Sequence, residues 1–330
     1  MKRTETVPPD SEAPIGSTRA AGGLLIVDKP VGPTSHDIVS VARRALSIRK
    51  VGHTGTLDPL ASGVLVLVLG RATRLARFIS GHDKTYSGSG QLGWSTDTFD
   101  ATGRPLGEAA DVSGIGRSEL AAAAGHLTGR ILQSPPPFSA CKVDGERLYR
   151  RARRGETVAA PAREVLVHRF EIDTDGDGRF TFTCRVSAGT YIRSLVNDLG
   201  AALGCGAHLT TLRRTDVGGV FTVARALAAD RLRRTDGPGP LGDAFVPMDR
   251  IPLGLPVVEV PPGSLSDLSH GRPFTGVPAP GASPGPLWQA RSADGRLLAL
   301  VGPETVAGTF RPRTVFFPPP ADPAGFTPSS

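Results

Sequence analysis

A chain of 330 residues exceeds the roughly 250 to 300 at which single cores stop growing, so one large domain and a smaller one are expected. With 39% hydrophobic and 21% charged residues it can bury enough apolar surface to offset the entropy of ordering, which excludes a wholly disordered chain. Lysines and arginines number 38 against 31 aspartates and glutamates, a formal charge of +7 that favours an anionic partner, nucleic acid first.

Met1 to Gly22 is polar and aperiodic, with no apolar core of a signal peptide, and reads as disordered. No later stretch approaches about 20 apolar residues, so no membrane span is expected. Leu24–Val27 predicts a strand, and Ile38, Val39, Ala42 and Leu46 then fall at helical spacing. Val64–Leu69, between Gly63 and Gly70, predicts a buried strand, followed by one helical stripe of Ala72, Leu75, Ala76 and Ile79. Arg117–Leu127 predicts another helix, and Glu146–Arg154 a short basic one. Val165–Asp173 and the alternating Phe180, Phe182, Cys184 and Val186 predict a hairpin turning at Asp175–Gly178. Thr190 is expected to cap a helix carrying Ile192, Leu195, Val196, Leu199 and Leu203. A helical pattern over Val223–Leu232 ends at the Gly- and Pro-rich stretch Arg234–Gly242, where the domain boundary is expected. Short β-like runs follow at Pro256–Val260, Leu287–Ala290, Leu297–Val301 and Thr314–Phe317, with an insertion at Gly276–Pro286, and predict a small β-rich module. Strands and helices follow no βαβ rhythm, which makes the fold class α+β with a mixed sheet.

The stretch Lys50–Gly63 is a polar, glycine-bearing loop set directly against the apolar strand at Val64. Pro59 holds Asp58 in extended backbone, and a loop fixed by a buried strand can hold a catalytic carboxylate rigidly. By itself the loop is equally served by Asp58 and Thr54 satisfying turn hydrogen bonds. Asp173–Gly178 copies the first half of a calcium-binding loop, but Cys184 stands where a bidentate glutamate is needed and the flanks read as strands. Cys141, Cys184 and Cys205 lie far apart with no metal-ligand or thioredoxin spacing, which predicts free thiols in a reducing cytoplasm. Neither a second carboxylate paired with Asp58 nor His/Asp metal spacing is found, so no metal is expected.

The string Gly52-His53-Thr54-Gly55-Thr56-Leu57-Asp58-Pro59 resembles the catalytic motif of the bacterial tRNA pseudouridine-55 synthase family. Gly23–Pro30 resembles the opening motif of that family, Asp83–Tyr86 its segment with a base-stacking tyrosine, Ser139–Tyr149 its RNA-gripping thumb, and Gly189–Leu195 its third cleft motif. All three tyrosines (Tyr86, Tyr149, Tyr191) lie in these stretches, and every lysine but Lys2 sits in or beside one.

The resemblance implies a pseudouridine synthase domain over 23–242, with a largely antiparallel central sheet flanked by helices and a thumb over about 129–165. It also implies a PUA-like RNA-binding domain over 243–320, which leaves 321–330 as a flexible tail. Asp58 would be the catalytic residue, acting at C1′ or in removing a proton from C2′, and Arg193 its ionic partner. Tyr86 would stack on an extruded uridine, His53 would fill the space the base leaves, and Tyr191 and Leu212 would line the pocket. RNA contacts would come from Lys29, Lys84, Lys142, Arg147, Arg150, Arg151, Arg154, Arg213 and Arg214. The implied partner is the T-arm of tRNA, with uridine at position 55 as target and no cofactor needed; no protein partner is evident in the sequence, and a monomer is expected.

Overall fold

The computed structural model describes residues 22–316 apart from 140, 144, 155, 157–159 and 235–239; the expected disordered N-terminus up to residue 21 and the tail from 321 lie outside the described residues. Two compact units emerge. The larger comprises Leu25–Val68 and Ala76–Phe245, and the smaller comprises Val246 onward together with Leu69–Leu75 and the chain up to Leu24.

The larger unit is built on a mixed sheet. Among its strands are β1 (Gly23–Lys29), β2 (Val51–His53), β3 (Ala61–Leu69), β4 (Lys84–Leu92), β5 (Gly129–Gln133), β6 (Arg163–Gly176), β7 (Arg179–Val186), β8 (Ala207–Val217) and β9 (Leu227–Ala228). Their order is β9-β1-β3-β8-β4-β7-β6-β5, with β2 beside β3. The β1·β9 and β3·β8 pairs are parallel, and every pair from β8 to β5 is antiparallel. This matches the α+β reading. β1 and β3 are continuous apolar runs because both faces are covered, and Leu24–Val27 and Val64–Leu69 are almost wholly buried. β7 has one wet face, so Phe180, Phe182, Cys184 and Val186 are buried while Arg179, Thr181, Thr183 and Arg185 are exposed.

Helices α1 (Ser35–Leu46), α2 (Arg117–His126), α3 (Leu148–Arg153) and α4 (Ile192–Ala202) accompany the sheet. A capping box at Thr34 and Asp37 starts α1, and its apolar residues Ile38, Val39, Ala42 and Leu46 face the core. Four local expectations change. Thr190 is not the cap of α4: its Oγ1 donates to Ser187 O at 3.0 Å, and Tyr191 takes the N-cap position. The stripe Ala72–Ile79 divides into a 3₁₀ turn Gly70–Leu75 and a short helix Ala76–Ser80. Val223–Leu232 is two 3₁₀ turns around β9, because Leu227 pairs with Val27 and the sheet overrides the helical pattern. Only Leu148–Arg153 of the predicted basic helix is helical, since Glu146–Arg147 pairs with Lys142–Val143 in a small hairpin.

The β6–β7 hairpin turns on Asp177 and Gly178, whose φ angles of 55° and 71° are those of a two-residue turn matched to strand twist. The Asp-Gly repeat is thus explained by turn chemistry.

The smaller unit carries a sheet of β10 (Val257–Glu259), β11 (Phe274–Thr275), β12 (Val277–Pro278), β13 (Trp288–Arg291), β14 (Leu297–Pro303) and β15 (Thr309–Val315). Their order is β11-β15-β14-β13-β10-β12 around a core that includes Val258, Leu268, Phe274, Trp288 and Phe310. Leu69–Leu75 joins this unit: Arg71 donates to Phe316 O, and Arg74 Nη1 to Val315 O at 2.8 Å.

Register brings the chemistry-bearing stretches into line. Arg214 pairs with Gly63 on one side and with Tyr86 on the other, while Leu212 pairs with Ala61 and Gly88. The approach at Gly63 is so close that a Cβ there would lie 2.1 Å from Arg214 O, on a backbone with φ +99°. Gly63→Ala is therefore expected to destabilise the fold by about 2–4 kcal/mol through overpacking and strain. Its thermal midpoint should fall by at least about 5 °C, and an unchanged midpoint would contradict the close approach.

Candidate active site

Asp58 sits on a loop held at three points. Ser35, in the first turn of α1, accepts from Leu57 N at 2.8 Å and donates from the same hydroxyl to Leu57 O at 2.9 Å. Arg214, buried on β8, donates to Val64 O at 2.7 Å, Gly55 O at 3.0 Å and Thr56 O at 3.5 Å. Arg193, in the first turn of α4, donates from Nε to Asp58 Oδ2 at 2.9 Å. The other two nitrogens of Arg193 reach Thr98 O at 2.9 Å and Phe138 O at 3.0 Å. A planar fork spreads its donors over three nitrogens and so reaches three separated acceptors, whereas a lysine donates all its bonds from a single nitrogen. The side chain of Arg193 is only 6% exposed, whereas that of Asp58 is 40% exposed. The cation is sealed and the carboxylate faces the opening.

That opening is a cleft of about 350 Å³. Asp58, Tyr86, Tyr191, Arg193 and Leu212 all line it. Tyr86 is buried, and burial pushes its hydroxyl above the usual phenol value, so it stays neutral. Tyr191 is fixed through its backbone: its N–H donates to Gln133 Oε1 at 2.8 Å and its carbonyl accepts from Gln133 Nε2 at 3.1 Å. The guanidinium of Arg163 covers the Tyr191 ring at 4.8 Å.

A second carboxylate, contrary to the sequence reading, shares the arginine. Asp100 Oδ2 lies 3.6 Å from Arg193 Nε in a buried position. Its Oδ1 already accepts from Thr98 Oγ1 at 2.8 Å, Thr102 N at 3.0 Å and Thr102 Oγ1 at 2.5 Å. So held, Asp100 balances the charge of Arg193 from behind the cleft and leaves Asp58 as the carboxylate at the opening. Gln133, Arg163 and Ser139 also line or brace the cleft and were not singled out by sequence. Nothing in the string Asp97-Thr98-Phe99-Asp100 distinguishes Asp100 from Asp97; the left-handed Phe99, φ 63°, makes the turn that brings it in.

Several expected RNA contacts take other places. Lys29 is wholly buried, its Nζ donating at 2.8 Å to both Pro30 O and Pro33 O, so direct phosphate contact is replaced by bracing of the loop before α1. Lys84 is also buried and donates to Ser80 O at 2.7 Å and His82 O at 2.6 Å. Arg214 is committed to the catalytic loop as described, and Arg213 pairs in two-pronged fashion with Asp28 at 2.8 and 3.0 Å. His53 is half-buried and burial lowers its pKa, so it enters as a neutral ring. On the thumb, Arg150 is exposed, Arg151 pairs with Glu156 at 2.9 Å, and Arg154 pairs with Glu146 at 2.6 Å and Glu156 at 2.7 Å. Such exposed pairs are weak in water, and phosphates can take the place of the carboxylates. The side chains of Lys142 and Arg147 lie outside the described residues.

With this geometry in place, comparison with known proteins is decisive. The TruB family pseudouridylate synthase N-terminal domain matches residues 43–192, and the tRNA pseudouridylate synthase B C-terminal domain matches residues 193–251. The chain belongs to the TruB family of pseudouridylate synthases. A relative named tRNA pseudouridine synthase B from Thermobifida fusca (strain YX) is 44% identical over 90% of this chain and 99% of its own. Another of that name, from Arthrobacter sp. (strain FB24), is 40% identical over 90% of this chain and 97% of its own. Among solved structures, an H/ACA RNP bound to a substrate RNA containing 2′-deoxyuridine matches with TM-score 0.68 at 25% identity, covering 93% of this chain and 89% of that one. The archaeal box H/ACA sRNP Nop10-Cbf5 complex matches with TM-score 0.68 at 26% identity, covering 96% and 94%. The mixed sheet is thus the pseudouridine synthase fold of the family, and the small second sheet is PUA-like. No helix among the described residues is long and apolar enough to cross a membrane.

Burial lowers the pKa of Lys84 from the usual 10.5 to about 8, aided by repulsion from Arg214, and burial likewise brings Lys29 to about 8 against the attraction of Asp58. Between about 8 and 10.5 the folded protein then binds fewer protons than the unfolded chain. These two groups therefore favour folding progressively as pH rises through that window, and their desolvation penalty is complete below it. Side-chain NMR titration should find both amines with midpoints near 8; midpoints at 10.5 would contradict this burial.

Proposed function

We propose that this enzyme isomerises uridine to pseudouridine in the T-loop of tRNA, at position 55, with Asp58 as the catalytic residue. The observation that carries the reading is the Asp58–Arg193 ion pair at 2.9 Å lining a cleft that also holds Tyr86, in a chain of this family. The reaction breaks the C1′–N1 bond, turns the uracil within the site and joins C1′ to C5; the C5 proton leaves and N1 gains one. It is redox-neutral and needs no added group.

A stacked uridine cannot reach Asp58, so the nucleotide is extruded at a cost of roughly a few kcal/mol. Stacking on Tyr86, at roughly 1–3 kcal/mol per base, offsets part of that. His53, as a neutral ring beside the loop, occupies the space left in the RNA. Asp58 then attacks C1′ or assists removal of the C2′ proton, while Tyr191 faces the base and helps to take the C5 proton after rejoining. Leu212 packs against the base from β8. Arg150, Arg151 and Arg154, with Lys142 and Arg147, grip phosphates from the thumb, and such contacts position the RNA without reading its sequence. The domain over 23–242 performs the chemistry, and the PUA-like domain over 243–320 contacts the acceptor end of the tRNA. The enzyme works in the cytoplasm as a monomer.

Asp58→Ala should lower single-turnover pseudouridine formation in a T-arm hairpin at least about a thousandfold while changing hairpin affinity less than about threefold. Wild-type enzyme that leaves the T-loop uridine unchanged, or an active Asp58→Ala variant, would contradict the proposal. Activity should persist in EDTA, and strict metal dependence would count against it.

A further inference from the structure

The cleft contains a buried hydroxyl without a partner among the described residues. Ser139 is 4% exposed and lines the same cavity as Asp58 and Tyr86, yet its Oγ has no hydrogen-bond partner among them. Buried hydroxyls in native proteins are almost always satisfied, because an orphaned one is destabilising. Several of its polar neighbours in the cleft are occupied elsewhere, while Arg163 Nε is likewise without a hydrogen-bond partner among the described residues. Arg193 and Arg214 are bound as described, Lys84 donates to two carbonyls, Ser80 Oγ donates to Ala76 O at 2.8 Å, and Thr190 Oγ1 donates to Ser187 O at 3.0 Å. Ser139 is also held in place at the root of the thumb. Phe138 O, immediately before it, accepts from Arg193 at 3.0 Å, and Ser134 O accepts from Ser194 at 2.8 Å. The hydroxyl is thus positioned by the arginine that holds Asp58.

We propose that Ser139 Oγ is a binding contact for the polar edge of the extruded uracil, donating to one of its two carbonyl oxygens. This rests on the function proposed above. A flipped nucleotide leaves its ribose and phosphates at the mouth, since they remain joined to the RNA chain, and its base goes deepest. A hydroxyl withdrawn from solvent on the cleft wall is therefore placed to meet the base edge. One rotation about χ1 turns a serine hydroxyl toward an incoming acceptor. Uracil offers carbonyl acceptors at C2 and C4, either of which a serine hydroxyl can meet as donor.

The roles of Ser139 as a brace and as a base contact separate cleanly. Ser139→Ala removes a hydroxyl that bonds nothing among the described residues, so the thermal midpoint should stay or rise slightly. Single-turnover conversion of a T-arm hairpin should nevertheless fall roughly five- to tenfold, the size of one neutral hydrogen bond. Hairpin affinity, dominated by phosphate contacts, should remain within about twofold. Hairpins with 2-thiouridine or 4-thiouridine at the target supply the second axis. At the carbonyl that Ser139 contacts, replacing oxygen by the weaker acceptor sulfur should slow wild type but not Ser139→Ala further. A variant rate within twofold of wild type, a lowered thermal midpoint, or equal sensitivity of both enzymes to both thio substitutions would overturn the proposal. Wild-type enzyme inactive on unmodified uridine would instead overturn the function on which it rests.

Discussion

The organisation of the cleft depends on a single buried guanidinium. Arg193 ties together three pieces of chain that are remote in sequence: the catalytic loop at Asp58, the turn at Thr98 and the thumb root at Phe138. A buried cation is tolerable only when its donors and its charge are matched, and here two carboxylates, Asp58 and Asp100, share that duty. Because Asp100 is locked by its own threonines, the arrangement is asymmetric. One carboxylate is structural and the other faces the cleft.

The sheet makes that arrangement possible. Parallel pairing of β3 with β8 and antiparallel pairing of β8 with β4 set Gly63, Arg214 and Tyr86 side by side, and the glycine lets the strands approach where a side chain would collide. Arg214 uses that closeness to hold the carbonyls of the catalytic loop. Rigid strands and two arginines thus fix a loop that by composition alone would be mobile, in keeping with the need to hold a reacting group to a fraction of an ångström. The thumb is built differently, with exposed and exchangeable ion pairs suited to a surface that must adapt to RNA.

Much of this was legible in the sequence, though not evenly. The apolar runs of β1 and β3 and the alternation of β7 follow directly from burial on two faces or one, and the loop containing Asp58 was marked by its glycines and its position before a strand. The pairing of Asp58 with Arg193, 135 residues apart, came only through family resemblance, because spacing says nothing about distant contacts. Lys29, Lys84 and Arg214 look like phosphate contacts in a string of letters, whereas burial turns each inward to backbone carbonyls. Asp100 and Gln133 left no sequence signal, and Ser139 only its place at the start of a family-like stretch, since their importance comes from tertiary neighbours.

The claim that Arg193 acts by geometry, beyond its charge, is tested most directly by Arg193→Lys. Lysine keeps the cation but cannot reach Asp58, Thr98 O and Phe138 O together. Single-turnover pseudouridine formation should fall at least about a hundredfold, with T-arm affinity within about threefold of wild type. A lysine variant that converts uridine within threefold of the wild-type rate would contradict the account.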